Sequence, residues 1–252
     1  MLLTECWLKL NVLIGEKMIF QNRVDAAKQL AKALRDGRHC GSPGLHAVSE
    51  FRDPVVLGIP RGGVATAAVL ATHLNADLDV LLARKIRSPY NPEVAMGAVN
   101  ENGEVYLYRP DSADEKYLQQ EVEFQKKEIQ RRRQMVEKVA DKVSLRGRSV
   151  IVTDDGCATG STIIAGLHGV SLEDPYEIIV AVPVAAPQAL ESIRKLCHEL
   201  ICLHSPEGFV AIGGYYRDFS ELKDSEMLEI LQSFHRKKVR SEVDRGTVQH
   251  LS

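Results

Sequence analysis

The chain has 252 residues, 44% of them hydrophobic and 26% charged, the balance of an ordinary globular protein with one large or two small α/β domains. Lysine and arginine number 32 against 34 aspartates and glutamates, a formal charge of −2, so no electrostatic surplus points to nucleic acid or to an anionic membrane. Five cysteines, an odd number without a Cys-x-x-Cys pair, speak against a disulfide framework or a thiolate zinc site and fit a reducing cytoplasm.

In chain order, the first segment is MLLTECWLKLNVLIGEK, residues 1–17. It is mildly apolar, but it lacks a basic start and is broken by Glu5, Lys9 and Asn11, so a signal peptide is not expected. It reads as a loosely attached extension or as the result of an upstream start codon. After Met18, residues Val24, Ala27, Leu30, Ala31 and Leu34 form one helical stripe. A strand is expected over 54–59, an apolar helix over 63–74 and a second buried strand over 78–85. Residues 86–109 are rich in turn formers and predict one hairpin with Asn102-Gly103 at its turn. No run of about 18 apolar residues occurs anywhere, so no membrane span is expected.

Residues 112–144 predict a single long helix, roughly 45–50 Å at 1.5 Å per residue. Val122, Ile129, Val136 and Val143 recur every seventh residue, while Gln125 and Arg132 stand where a coiled-coil seam would be apolar. This narrow stripe suits packing of one edge on the domain or on a second subunit. The basic run Lys126, Lys127, Arg131, Arg132 and Arg133 reads as a solvated face with interleaved acids before it reads as a polyanion patch. Further strands are expected over 149–154, 176–184 and 200–203, with helices over 160–170 and 187–197. Such alternation argues for a mostly parallel sheet covered on both faces.

The most informative stretch is VIVTDDGCATGST, residues 150–162. An apolar strand ends in Asp154 and Asp155, a small-residue turn follows, and hydroxyls open a helix. In an open parallel sheet, ligands bind beyond the carboxyl ends of the strands. The helix start offers unpaired N–H groups and a positive dipole end that suit a phosphate. Gly156 and Gly160 allow close approach, and Thr159, Ser161 and Thr162 can add hydrogen bonds. Two acids beside a phosphate need partners of their own, and a vicinal diol or a Mg²⁺ ion would serve. A ribose 5-phosphate offers both a phosphate and a diol. A P-loop would need a lysine, which 150–162 lacks, and a dinucleotide site would need Gly-x-Gly-x-x-Gly, which is absent. A plain strand–turn–helix with a capping hydroxyl is the bland alternative.

VIVTDDGCATGST resembles the signature of the type I phosphoribosyltransferases that binds PRPP (5-phosphoribosyl 1-diphosphate). LGIPRGGV (57–64), LDVLLARKI (78–86), NPEVAMGAV (91–99), VAVPVAAP (180–187) and GGYYRDFS (213–220) extend the likeness to a bacterial subgroup whose substrate is not settled. It covers roughly residues 18–235 and leaves 1–17 and 236–252 outside as an extension and a tail. The implied fold is α/β, with a mostly parallel central sheet, helices on both faces, a flexible loop or hairpin near 86–109, the inserted helix 112–144 and a small hood near 204–220.

The resemblance implies roles as well. Asp154 and Asp155 would bind the ribose diol, and Gly156, Cys157, Ala158, Thr159, Gly160, Ser161 and Thr162 the 5-phosphate. Pro60, Arg61, Gly62 and Gly63 would form the pyrophosphate loop, joined by Arg84 and Lys85 at the end of the next strand. The loop at 86–109 would close over PRPP. Phe209 and the GGYYRDF segment would form the hood, with Tyr215 or Tyr216 either stacking on a flat base or packing inside the hood. Relatives that act on 6-oxopurines commonly carry an aspartate where this chain has Ala158, so guanine and hypoxanthine are expected to be poor acceptors. The implied reaction is Mg²⁺-assisted transfer of the phosphoribosyl group to a nitrogenous acceptor, in a cytoplasmic homodimer. A regulator that binds PRPP or a nucleotide without turnover is the second reading. An assembly protein using the long helix is the third.

Overall fold

The computed structural model describes residues 20–35, 51–90, 95–107 and 114–249. The segment 1–17, parts of the expected loop (91–94 and 108–109) and the first residues of the expected long helix lie outside them. The chain opens with α1 (Arg23–Arg35), then β1 (Val55–Gly58), α2 (Gly62–Leu74), β2 (Asp77–Val80), β3 (Ala83–Arg87), β4 (Ala95–Asn100) and β5 (Val105–Leu107). It continues with α3 (Glu115–Val136), β6 (Ser149–Thr153), α4 (Ser161–Ser171), β7 (Glu177–Val184), α5 (Pro187–Ile193), β8 (Glu199–His204) and α6 (Asp224–Gln249).

Five strands form a parallel sheet in the order β2-β1-β6-β7-β8. Their short apolar runs are buried on both faces, as parallel strands require. Val56, Leu78, Ile151 and Ile179 point to a core shared with α1, α2, α3 and α6. Leu57, Val150, Val152 and Val180 point to a second core under α4 and α5. A separate antiparallel sheet, β3-β4-β5, carries the expected hairpin: the turn between β4 and β5 is closed by Gly103 N–H donating to the Asn100 carbonyl at 3.0 Å.

Three expectations are corrected. The single strand over 78–85 is two strands in two sheets. β2 pairs with β1 up to Val80, and Leu81 N–H still donates to the Gly58 carbonyl at 3.0 Å; from Ala83 the chain pairs with β4 instead, while Leu78, Val80 and Leu82 pack in the first core and Leu81 in the second, so the period of two runs on through the break. The long helix ends at Val136, spanning about 33 Å. Val143 keeps its seven-residue spacing but joins the second core from extended chain, because its N–H donates to the buried Asp79 carboxylate at 3.0 Å. The basic run is not one solvated face: Arg133 is buried and bonds both Asp79, at 3.1 Å, and Glu101, at 2.6 Å.

Candidate functional site

Strand order reverses between β1 and β6. From β1 the chain moves outward to β2; from β6 it moves the other way through β7 to β8. Crevices form beyond the carboxyl ends of strands at such a switch point. Here Gly58 pairs with Thr153, and Ile59 N–H donates to the Thr153 carbonyl at 3.0 Å. Each strand leads through a loop into a helix, α2 and α4, whose N-cap residues Arg61 and Gly160 make no side-chain cap; in α4 the Thr159 hydroxyl accepts from the Ser161 N–H at 3.4 Å. Two helix starts, the kind of place that suits an anion, therefore lie at this switch point.

Glycine is what lets the two loops meet. The Pro60–Arg61 peptide is cis, and α2 begins at Gly62. A Cβ on Gly62 would lie 1.8 Å from Asp155 Oδ2, and one on Gly63 would lie 2.8 Å from Asp154 Oδ1. No other residue allows so close an approach. In the other loop Gly160 adopts φ +77°, a left-handed turn that hands the chain to α4. That loop is anchored by Cys157, whose N–H donates to the Val184 carbonyl at 2.8 Å and whose carbonyl accepts from Ala186 N–H at 2.9 Å. Ala158 and Thr159 stand exposed at its tip, and the Thr159 and Ser161 hydroxyls are 3.0 Å apart. Burial pushes the Cys157 thiol up to about 12, with the Asp154 charge adding to it, so it is an inert neutral group at neutral pH.

The two acids differ in their surroundings. Asp155 is 8% exposed and its Oδ2 accepts from Arg23 Nε at 2.7 Å. Its carbonyl accepts from the Tyr216 hydroxyl at 2.5 Å. Asp154 Oδ1 accepts the Asp155 N–H at 2.8 Å. Burial holds the Asp154 carboxyl well above the usual carboxylate range, the neighbouring Asp155 charge raises it further, and Arg23 pulls it back. Burial raises Asp155 too, against the Arg23 ion pair.

Arg61 pairs with Glu221 through an exposed ion pair, and it stands near Arg132 of α3. Arg84 donates to Gln125 Oε1 at 2.5 Å, and burial plus the charge of Arg132 lower its affinity for a proton. Lys85 is exposed. Both lie at the start of β3, in the small sheet, rather than at the end of a parallel strand. Tyr215 and Tyr216 are each 6% exposed, and protein rings occupy their faces: Phe209 stacks on Tyr215, and Phe219 on Tyr216. Of the two readings of these rings, this arrangement corresponds to packing among the aromatics of 209–219.

Three site neighbours carry no signal in the sequence that marks them. Arg23 opens α1 beside its apolar stripe, far from any motif. Glu221 follows the last quoted segment by one residue. Arg132 lies within a charge run, although burial lowers its affinity for a proton and its Nε is buried without a hydrogen-bond partner.

Known proteins resemble this chain over most of its length. The chain is 33% identical over 222 residues to the candidate phosphoribosyl transferase Rv0571c of Mycobacterium tuberculosis strain H37Rv, covering 86% of this chain and 47% of that protein. The same figures hold for its counterpart MT0597 in strain CDC 1551. The chain thus spans about half the length of the curated relatives it matches. The crystal structure of TT1426 from Thermus thermophilus superposes with a TM-score of 0.72 at 39% identity, covering 86% of this chain and 99% of that one. Residues 44–220 match the phosphoribosyl transferase domain. The chain is a member of the type I phosphoribosyltransferase family.

Proposed function

We propose that the protein transfers the 5-phosphoribosyl group of PRPP to a ring nitrogen of a nucleobase-like acceptor and releases pyrophosphate. The observation that carries this reading is the meeting of the two loops that open α2 and α4, with Gly62 and Gly63 laid directly against Asp155 and Asp154. One loop suits a pyrophosphate, the other a 5-phosphate, and the acids between them suit the ribose diol.

In this reading Gly156, Cys157, Ala158, Thr159, Gly160, Ser161 and Thr162 cradle the 5-phosphate. Pro60, Arg61, Gly62 and Gly63 hold the pyrophosphate, with Arg84 and Lys85 approaching from the small sheet. Arg61 would exchange Glu221 for the ligand, a small cost for an exposed pair. Asp154 and Asp155 are hard oxygen donors that fit Mg²⁺. Such an ion would be held chiefly by substrate oxygens and by one or two of these carboxylates. When bound, it would offset the charge of the departing diphosphate. The protein contributes position and charge: N–H groups and guanidinium groups that hold the leaving group, and a cover that excludes water. The hairpin segment 86–109 would be that cover and residues 204–220 the hood over the acceptor. A cytoplasmic location and a homodimer belong to the same reading.

The test is pyrophosphate release from PRPP and Mg²⁺ with adenine, orotate, uracil, guanine and hypoxanthine. Turnover with one of the first three is expected, at least tenfold above guanine and hypoxanthine in kcat/KM, a margin of about 1.4 kcal/mol. PRPP binding without release on any base would identify a sensor instead, and a guanine preference would overturn the inference from Ala158.

A further inference from the structure

The family match begins at residue 44, yet a side chain from before it, Arg23 at the start of α1, reaches the acid pair. Its side chain is 12% exposed. It is fixed at three places. Nε donates to Asp155 Oδ2 at 2.7 Å. Nη1 donates to the Ser220 carbonyl at 2.8 Å. Its guanidinium carbon stands 4.0 Å from the centre of the Phe219 ring. A Cβ on Gly62 would come within 2.9 Å of Nε, so the pyrophosphate loop closes a fourth side. One guanidinium therefore touches the acid pair, the hood and the edge of the other anion loop.

α1 is tied to the hood by backbone as well. Phe20 N–H donates to the Tyr215 carbonyl, and Arg217 N–H donates to the Phe20 carbonyl, both at 2.8 Å. The Tyr216 hydroxyl then returns to the Asp155 carbonyl. Asp155 is held at both ends, its carboxylate by α1 and its backbone by the hood. A buried ion pair of this kind adds little net stability over an apolar pair. Its effect is on orientation, since a planar guanidinium fixes both the direction and the charge of its carboxylate.

We infer that Arg23 is a positioning residue of the phosphoribosyl site, one that aims Asp155 at the ribose diol and links the acid pair to the hood. This rests on the reading of the site as a PRPP site. Ribose 5-phosphate and PRPP both carry the diol, whereas pyrophosphate does not, and that difference separates positioning from a general loss of structure.

The experiment is calorimetric titration of the full chain with PRPP, ribose 5-phosphate and pyrophosphate in Mg²⁺, for wild type, Arg23→Ala, Arg23→Lys and Asp155→Asn, and for Arg23→Ala combined with Asp155→Asn. Wild-type protein that binds none of the three overturns the site reading and this inference with it. If wild type binds, Arg23→Ala should lose tenfold or more for PRPP and for ribose 5-phosphate while keeping pyrophosphate within twofold. Arg23→Lys should recover part of the loss, and Arg23→Ala should cost little more once Asp155→Asn is present. Arg23→Gln keeps the stem and replaces Arg23→Ala if that variant does not fold. Unchanged PRPP affinity in a folded Arg23 variant, or an equal loss for all three ligands, overturns the inference and leaves the PRPP site standing.

Discussion

Asp154 is a carboxyl group placed at a cost. It lies beside a second carboxylate, and burial together with the Asp155 charge raises its affinity for a proton. The folded chain holds that proton to higher pH than the unfolded chain does, so the stability difference runs against the native state as pH rises. Below the ordinary value of 3.8 both states are protonated and nothing is lost; above it the unfolded state ionises first. Asp154→Asn should therefore stabilise the free protein at pH 7, by about 1 kcal/mol, the ordinary size of a single-substitution effect. The gain should shrink toward pH 4. Urea unfolding at both pH values measures it, and an Asp154→Asn variant that is less stable than wild type at pH 7 would contradict it. The acids themselves were legible because they interrupt an apolar run at its end. Arg23 was not, since a basic residue opening an amphipathic helix carries no sign of its distant partner.

At the scale of the element, α3 shows how a helix can be held by polar side chains. Val122, Ile129 and Val136 face the core as their spacing predicts. Between them Gln125 is 1% exposed and bonds Glu121, while Arg133 bridges Asp79 and Glu101. By spacing alone Gln125 is a flaw in an apolar seam; in the fold it is the filled part of a buried hydrogen-bond row. Arg133→Ala would leave two carboxylates facing each other without a cation, and should cost about 3–5 kcal/mol. Asp79→Asn on that background should recover part of the loss. Denaturant unfolding of the single and double variants decides, and a single-variant loss under about 1 kcal/mol would show the network to be idle. The same Asp79 accounts for the residue at which sequence spacing overran the helix: a repeat of seven continues to Val143, but α3 has already ended at Val136, and that residue's N–H goes to this buried acceptor instead of a helix carbonyl. Long-range partners of this kind leave no trace in local periodicity.

For the molecule as a whole, the fold class was readable because parallel strands are continuous apolar runs and the helices between them have their own period. What the likeness to a family does not define is where the folding unit stops. Residues 44–220 match the domain, but Leu30 and Leu34 of α1 and Met227 and Leu231 of α6 are fully buried in the first core. Four such side chains contribute roughly 1.5–3 kcal/mol each, comparable with the whole stability of about 5–15 kcal/mol. A chain cut to 44–220 should show no cooperative thermal transition by circular dichroism, whereas the full chain should; a cooperative melt of the cut form would mean that α1 and α6 are dispensable. The crevice between α2 and α4 joins distant parts of the chain. Its two walls come from strands that are neighbours in space but are separated in the chain by β2, the small sheet and α3. No local piece of the sequence can assemble it, so during synthesis a ligand has nothing to grip until the distant halves have closed on each other. A molecule caught between those walls then acts as a strap across that long loop, and by mass action alone it adds about 2.7 kcal/mol to the native state at a hundred times its dissociation constant.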